Sequence, residues 1–451
     1  MFWNDWMFES VRGLKRVINK PIKSGCNPIF DEPIDWINII YDREDRVFKM
    51  WYATLKAPLP NGKGFALAYA TSSDGFVWEK PSLGIVEYKG SRENNLTDMV
   101  GREVEGLYLD KNDPNPERKY KLVYLTQKDG IEGKTGLAVS KDGFHWRKTE
   151  YPMILPFPSD AFNVIVYDSQ IQKYIVFSRP GYVDRRVAIS LSRDLRNWGG
   201  PYTVLEPEEI QAHFYYLLPL QYEGVYVGFL PVLKTEEYEI KNAAKSNGLV
   251  HTELCYSPNG IYWQRIQAGR AWIPHGQPGE FDAGGVYPMA AVVVGKGIRL
   301  YYEGTFHHHG EIRDKDREDC KLGVATLRFD GFISLDAEDR EGSVTSRIIS
   351  SWTHAEDKLR GREWIQWTDF QKGELKANVK TDENGYLKAE LLDEHWNVIE
   401  GYSRRESIPV VGDHIDAILR WKHRVTIKPL NKLFRVRLLL KNAKLYSFSF
   451  S

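Results

Sequence analysis

Five segments of the chain open on polar side chains and run on into an apolar stretch. Asp35 opens "PIDWINIIYD", Glu103 and Glu105 open "REVEGLYLD", and Asp160 and Asn163 open "PSDAFNVIVYD". Gln211 and His213 open "EIQAHFYYL", and Asp282 opens "GEFDAGGVYPM". Three of the runs end on Asp42, Asp110 and Asp168, which gives them a common register. Four of the five therefore offer a carboxylate at an equivalent place. Crowded carboxylates separate into an acid and a base, because like charges raise one pKa and leave another group ionised. Such a pair can protonate a leaving oxygen and activate a nucleophile, which is what cleaving a glycosidic bond requires. Asp35, Glu105, Asp160 and Asp282 are the candidate catalytic residues. Acids at strand starts also occur as plain solvated turn residues, so the set carries the argument, not any single member.

Further groups come from the connecting loops. "SRPGYVDRR" holds Arg179, Arg185 and Arg186, and "YYEGTFHHHGE" holds Glu303 and the run His307, His308, His309. Asn163, Arg179, His213, Glu303 and His309 are the candidate substrate-binding residues. Adjacent residues on an extended chain point to alternate sides, so three successive histidines cannot all hold one ion. No metal and no cofactor are expected. The three cysteines, Cys26, Cys255 and Cys320, are far apart and show neither zinc spacing nor a disulfide framework.

The elements that must position these groups are marked by a repeat. "SSDGFVW" begins at Ser72, "SKDGFHW" at Ser140, "SRDLRNW" at Ser192 and "SPNGIYW" at Ser257, with a degenerate copy, "RFDGFIS", at Arg328. Each copy follows three short apolar strands joined by turns, such as "INIIYD", "VFKMWYA" and "FALAYAT". The motif Trp is expected to open a fourth strand and to pack between units. Four hairpin-connected strands repeated five times predict a five-bladed β-propeller. Asp-Gly suits a turn that needs positive φ, and the Asp and Ser side chains can cap that same turn. The motif thus reads as architecture. In a propeller it lies on the face away from the channel mouth, where the inner strands begin. That mouth is where Asp35, Glu105, Asp160, His213 and Asp282 are expected to converge.

From about Glu338 the repeat gives way to "EDREGSVTSR" and then to alternating strands separated by "DENG" and "VVGD", a β-sandwich pattern. The fold class is all-β: a five-bladed propeller followed by a C-terminal β-sandwich. The expected domains are 27–337 and 338–451, with 1–26 packing at the domain junction.

Composition narrows the function classes. The 451 residues carry 61 basic and 61 acidic side chains, so there is no net field to attract nucleic acid or an anionic membrane. Aromatics make up 13%, which suits a β-rich core and can also supply stacking platforms for sugars. No apolar run approaches the ~18 residues of a membrane helix. The start, "MFWNDWMFES", lacks a signal-peptide pattern, which leaves a cytoplasmic chain or a secreted one whose signal has been removed.

With five blades and acids at the inner-strand starts, the stretch from Asn27 to Leu335 resembles the five-bladed propeller glycoside hydrolases of families 43, 32 and 68. "LLDEHWNVIEGYS" and "LYSFSF" look like the β-sandwich appended to many members. "YATSSDGFVWEKPSLG" and "GSRENNL" share that style. The resemblance implies that Asp35 is base or nucleophile and that Asp160 is a stabiliser; the inner-strand register makes Glu105 the better acid. It implies a glycoside hydrolase acting on a plant- or algal-type oligo- or polysaccharide, exo-acting, with furanosides among its substrates. Two alternatives stay open: a non-catalytic glycan-binding propeller, and a glycoside phosphorylase whose arginines hold phosphate.

Overall fold

The computed structural model describes residues 1–30, 32–54, 65–101, 103–126, 134–149, 154–155, 159, 161–180, 185–209, 211–235, 247–311, 319–350, 366–367, 373–427 and 433–451. They are almost entirely β. Among them no helix is long and apolar enough to cross a membrane. The chain divides into two compact units, residues 21–294 with 298–326, and residues 1–20 and 295–297 with 327–451.

The first unit is a five-bladed propeller. Blade one runs Ile34–Asp42, Val47–Thr54, Phe65–Ser72 and Leu96–Gly101, each strand antiparallel to the next. Blade two runs Glu103–Leu109, Tyr120–Leu125, Thr135–Ser140 and Trp146–Lys148. Blade three runs Val164–Asp168, Lys173–Ser178, Val187–Ser192 and Gly199–Leu205. In blade four, Ala212–Phe214 and Leu218–Tyr222 both pair with Val225–Thr235, followed by Gly248–Ser257 and Gln264–Arg265. Blade five holds Gly285–Val294, Gly297–Thr305 and Lys321–Arg328.

The outer strand of blade five is not the one expected after "RFDGFIS". It is Ile22–Lys23, from the beginning of the chain, paired with Lys321–Arg328. A strand edge left bare at the last blade is a template for unwanted pairing, and an early segment closes it. The run expected there, Ile333–Ala337, instead pairs with Lys15–Ile18 and Leu433–Phe450 in the other unit. Segment 1–26 is therefore divided between the units, and the strand Ile333–Ala337 lies outside the propeller. Blade one departs from expectation too, since its fourth strand starts at Leu96 and not at Trp78.

Neighbouring blades are held by a repeated contact. Tyr174 donates its hydroxyl hydrogen to Asp110 at 2.8 Å, and Tyr226 does the same to Asp168 at 2.6 Å. In each case a second-strand Tyr reaches the terminal Asp of the preceding blade's inner strand. Asp110 also holds the fully buried Lys121, which pairs with Asp113 as well. Buried charge is tolerated because each member is paired.

The second unit is a sandwich built on two long strands. Leu375–Asp393 and Leu433–Phe450 run antiparallel from Leu375↔Phe450 to Asp393↔Phe434. "DENG" was expected to be a turn between two strands. It is a bulge within one strand: Thr381 faces Ala443 and Tyr386 faces Lys441, so one strand takes five steps against two. The partner strand continues, and the extra residues are extruded rather than reversing the chain. Buried Leu387, Ala389, Leu391, Val436, Leu438, Leu440 and Trp421 form its interior.

Candidate functional site

The inner strands lose their regular pairing at the mouth of the channel, and that is where the candidate residues sit. In blade one Asp35 pairs with Ala53 and Asn38 with Trp51, leaving an extra residue between them. Trp36, at this bulge, has a φ of 47°. In blade two Val104 pairs with Tyr124 and Leu107 with Leu122, which bulges the strand at Glu105–Gly106. In blade four the inner strand is interrupted at Tyr215–Leu217. Bulges re-aim side chains and end pairing, and they are common beside active sites.

Side chains replace the lost ladder. Asn38 donates from Nδ2 to the Glu105 carbonyl at 2.7 Å and accepts from the Leu107 amide at 2.8 Å. The Gly106 amide donates to the Asn163 carbonyl at 3.0 Å. A Cβ on Gly106 would stand 2.3 Å from that oxygen and 2.8 Å from Val164 Cα, so the approach of the strands needs glycine here.

Glu105 is fully buried, and its Oε2 accepts from Asn163 Nδ2 at 2.6 Å. Asn163 is itself fixed: its Oδ1 accepts from Ser159 Oγ at 2.7 Å, and its Nδ2 also reaches the Ser159 carbonyl at 2.8 Å. Ser159 Oγ accepts from the Arg179 amide at 2.9 Å, which ties the start of the Arg179 loop to the same network. Asp35 is buried, and its Oδ1 accepts from the Trp36 amide at 3.1 Å. Trp36 stacks on Phe162, with centroids 5.6 Å apart and planes 6° from parallel, and Phe162 meets Tyr216 edge-on at 5.3 Å. Burial drives the Tyr216 hydroxyl well above its ordinary pKa, and the carboxylates of Glu303 and Asp35 push it further. The hydroxyl itself donates to the Pro288 carbonyl at 2.9 Å.

A second wall comes from blades three to five. The Arg185 guanidinium lies 4.6 Å from the centre of the Tyr215 ring. Tyr215 packs edge-on against Tyr287 and His309, each at 5.2 Å. Burial, then Tyr215 and Glu303, push the Tyr287 hydroxyl well above its usual pKa. His213, on Ala212–Phe214, is buried. Along the channel axis a cavity of about 260 Å³ is lined by Asn38, Phe162, Val166, Leu218 and Met289.

Contacts thus join Glu105 to Asn163 and Ser159, with the Arg179 amide on the same serine, and join Asp35 through Trp36 to Phe162 and Tyr216, while His309 packs on Tyr215 in the second wall. Asp160 lies outside the described residues. Asp282 stands apart from Asp35 and Glu105 in its partners: its carboxylate is held by Lys23 at 2.6 Å and by the Tyr302 hydroxyl at 3.0 Å. Asn27 donates to that same Tyr302 hydroxyl at 3.0 Å. Because Lys23 sits on the strand that closes blade five, a buried ion pair there fastens the ring. The three histidines diverge, since His307 pairs with Asp319 at 2.6 Å while His309 packs on Tyr215. Among the described residues no three His, Cys, Asp or Glu side chains are grouped to hold a metal.

The sequence reading passed over Trp36, Asn38, Phe162, Tyr215, Tyr216 and Tyr287. "HFYYL" carried a signal in its paired tyrosines beside His213. The others read as core aromatics or strand polar residues.

The opposite ends of the blades hold the repeated motif. Ser72 Oγ accepts from the Gly75 amide at 2.7 Å, and Asp74 Oδ1 accepts from the Phe76 and Val77 amides at 2.8 and 2.9 Å. Ser140 with Asp142, Ser192 with Asp194 and Ser257 with Asn259 repeat the pattern.

The described residues form a five-bladed propeller and a sandwich, the architecture expected from the sequence. No family model matches it. It is similar to the β-1,2-mannobiose phosphorylase of Thermoanaerobacter sp. (strain X514), 32% identical over 164 residues, covering 34% of this chain and 48% of that protein. The chain thus spans about half the length of that curated relative. Among solved structures, a glycoside hydrolase matches 71% of this chain and 92% of its own at 14% identity and TM-score 0.45. A structure from work on the GH130 mannoside phosphorylases, and on hydrolases of that family that target β-1,2 mannosidic linkages in Candida mannan, matches 72% and 95% at 16% identity and TM-score 0.42. The GH62 α-L-arabinofuranosidase catalytic domain of Coprinopsis cinerea matches 71% and 97% at 12% identity and TM-score 0.43.

Proposed function

We propose that this protein is a carbohydrate-active enzyme that cleaves a glycosidic bond at the channel mouth of its propeller. The observation that supports the reading is the pair of buried carboxylates beside the two inner-strand bulges. Asp35 accepts from the Trp36 amide at 3.1 Å, and Glu105 is held by Asn163 at 2.6 Å. Buried acids separated by neutral hydrogen-bonding groups are suited to unlike roles, one giving a proton and one staying ionised.

Hydrolysis is the leading reaction. A specific feature also favours phosphorolysis: the Arg185 guanidinium lies over Tyr215, whose ring also meets His309, and guanidinium groups recognise phosphate well. The similarity to a β-1,2-mannobiose phosphorylase supports the same choice. The test incubates the protein with β-1,2-mannobiose and with α-L-arabinofuranosides, with and without inorganic phosphate. Free sugar in both conditions supports hydrolysis, and a sugar 1-phosphate formed only with phosphate supports phosphorolysis. Binding without any product across a broad glycan panel overturns the enzymatic reading in favour of a glycan-binding propeller.

A further inference from the structure

The sandwich unit carries a cleft of about 320 Å³ that the propeller chemistry does not use. Its floor is formed by Ser10, Ser343, Thr345 and Leu439, and its rim by Trp396 and Arg404. The volume is at the small end for ligand sites. Trp396 is the conspicuous group. Its side chain is 43% exposed, and its φ of 68° places a bulky residue in the left-handed region, where bulky side chains are genuine outliers.

The ring is nevertheless held firmly. Asp393 Oδ1 accepts from the His395 and Asn397 amides at 2.9 and 2.8 Å, and the Asp393 carbonyl accepts from the Trp396 amide at 3.2 Å. Arg435 donates to that same carbonyl at 2.8 Å, and its guanidinium lies 4.6 Å from the ring centre, with Arg437 at 5.8 Å. An aromatic surface is thus presented to solvent on a rigid support.

The polar walls are pre-paired ions. Arg404 holds Glu341 at 2.7 and 2.9 Å, Arg437 holds Glu390 at 3.0 Å, and Arg435 holds Glu9 at 2.7 Å. Tyr386 also donates to Glu341 at 2.7 Å. A site built for an anion would aim its guanidinium groups at the ligand. Here Arg404 and Arg437 on the lining each face a carboxylate, so the walls offer fixed donors and acceptors side by side, with Arg12 as the one further cation on the described lining. That matches a ligand with many hydroxyls and an apolar face.

We propose that this cleft is a binding site for a neutral sugar residue, with Trp396 as the stacking platform and the Arg404–Glu341 and Arg437–Glu390 pairs contacting its hydroxyls. It goes beyond the reading of the propeller and relies on it only for the choice of probes.

The test measures binding by titration calorimetry on the full chain, with β-1,2-mannotriose, xylotriose and arabinotriose as neutral probes and a galacturonic acid trimer as the anionic one. Trp396→Ala is expected to abolish or weaken by about tenfold or more the binding of at least one neutral trimer. Trp396→Phe should retain most of it. Turnover of small soluble substrates by the propeller should be unchanged in both. A melting curve for each variant separates loss of the platform from loss of the fold. Neutral-sugar binding that survives in a folded Trp396→Ala protein overturns the proposal, as does Trp396-dependent binding confined to the galacturonate trimer. The readout is independent of the propeller reaction: Trp396-dependent binding with no cleavage would sink the enzymatic reading and leave this one standing.

Discussion

At one end of the blades, Ser72, Ser140, Ser192 and Ser257 repeat a single hydrogen-bonding scheme, each accepting from the amide three residues on. At the other end three inner strands lose their regular pairing. One bulges at Trp36, one at Glu105–Gly106, and one breaks at Tyr215. The motif acids Asp74, Asp142 and Asp194 face their own backbone, while Asp35 and Glu105 lie buried at the irregular end. A fold that must be copied five times uses the same local chemistry each time. A site that must surround one asymmetric ligand needs a different side chain from each copy. Repetition therefore points away from the site, and local departures from it point toward the site.

The contrast is most directly broken by mutation at both ends. Glu105→Gln and Asp35→Asn are expected to lower kcat/KM on a responsive substrate by about 10²–10⁴-fold while the protein stays folded. Asp142→Asn, at the regular end, should leave kcat/KM within about twofold of the parent and cost stability only, on the order of 1 kcal/mol. Parallel assays and melting curves check this, and activity loss in Asp142→Asn would erase the distinction.

Glycine substitutions sharpen it. A Cβ on Gly106 would meet Asn163 O at 2.3 Å, and one on Gly143, at φ 84°, would meet Trp51 at 2.8 Å. Both Gly106→Ala and Gly143→Ala should destabilise by about 2 kcal/mol or more in denaturant unfolding. Gly106→Ala alone should also reduce turnover, because it displaces Asn163 from Glu105.

Acid should weaken the regular end. Hydrogen bonds from the Val77 and Phe76 amides hold the Asp74 carboxyl low. Burial works against Asp142, yet the His145 and Phe144 amides hold it near about 2. Bonds from the Asn197 and Arg196 amides lower Asp194. Groups depressed on folding stabilise the protein above their unfolded pKa of about 4, and that contribution is lost as pH falls toward 2. Stability measured from pH 5 to pH 2 should therefore decline, and Asp142→Asn should flatten the decline.

The smallest effect is expected at Leu195, which stands where the other motifs have Gly or its equivalent turn and has a φ of 64°. Leu195→Gly relieves the backbone but gives up a side chain that packs with Val139, Ile165 and Val176. The two effects oppose each other, and the melting point should move by only a few degrees.

Much of this architecture was legible in the chain. The motif spacing located the inner, second and third strands of all five blades, because alternating apolar runs and Asp-Gly turns are local signals. It also placed Asp35, Glu105 and Asn163 at the ends of inner strands. Asp282 has the same local pattern and a different fate, since Lys23 lies far away in sequence and meets it only after the ring closes. The outer strand of blade five was missed for the same reason.

The amino-acid order by itself determined the repeat, the blade number and the end of each blade at which acids gather, because hairpins and their turns depend on neighbours along the chain. Tertiary structure alone decided which acids share a site. It bulged two inner strands, stacked Trp36 beside Asp35 on Phe162, gave Asn163 to Glu105, and turned Asp282 into part of the ring's closure. Those outcomes depend on which side chains from distant segments end within hydrogen-bonding reach, and nothing local in the sequence encodes that distance.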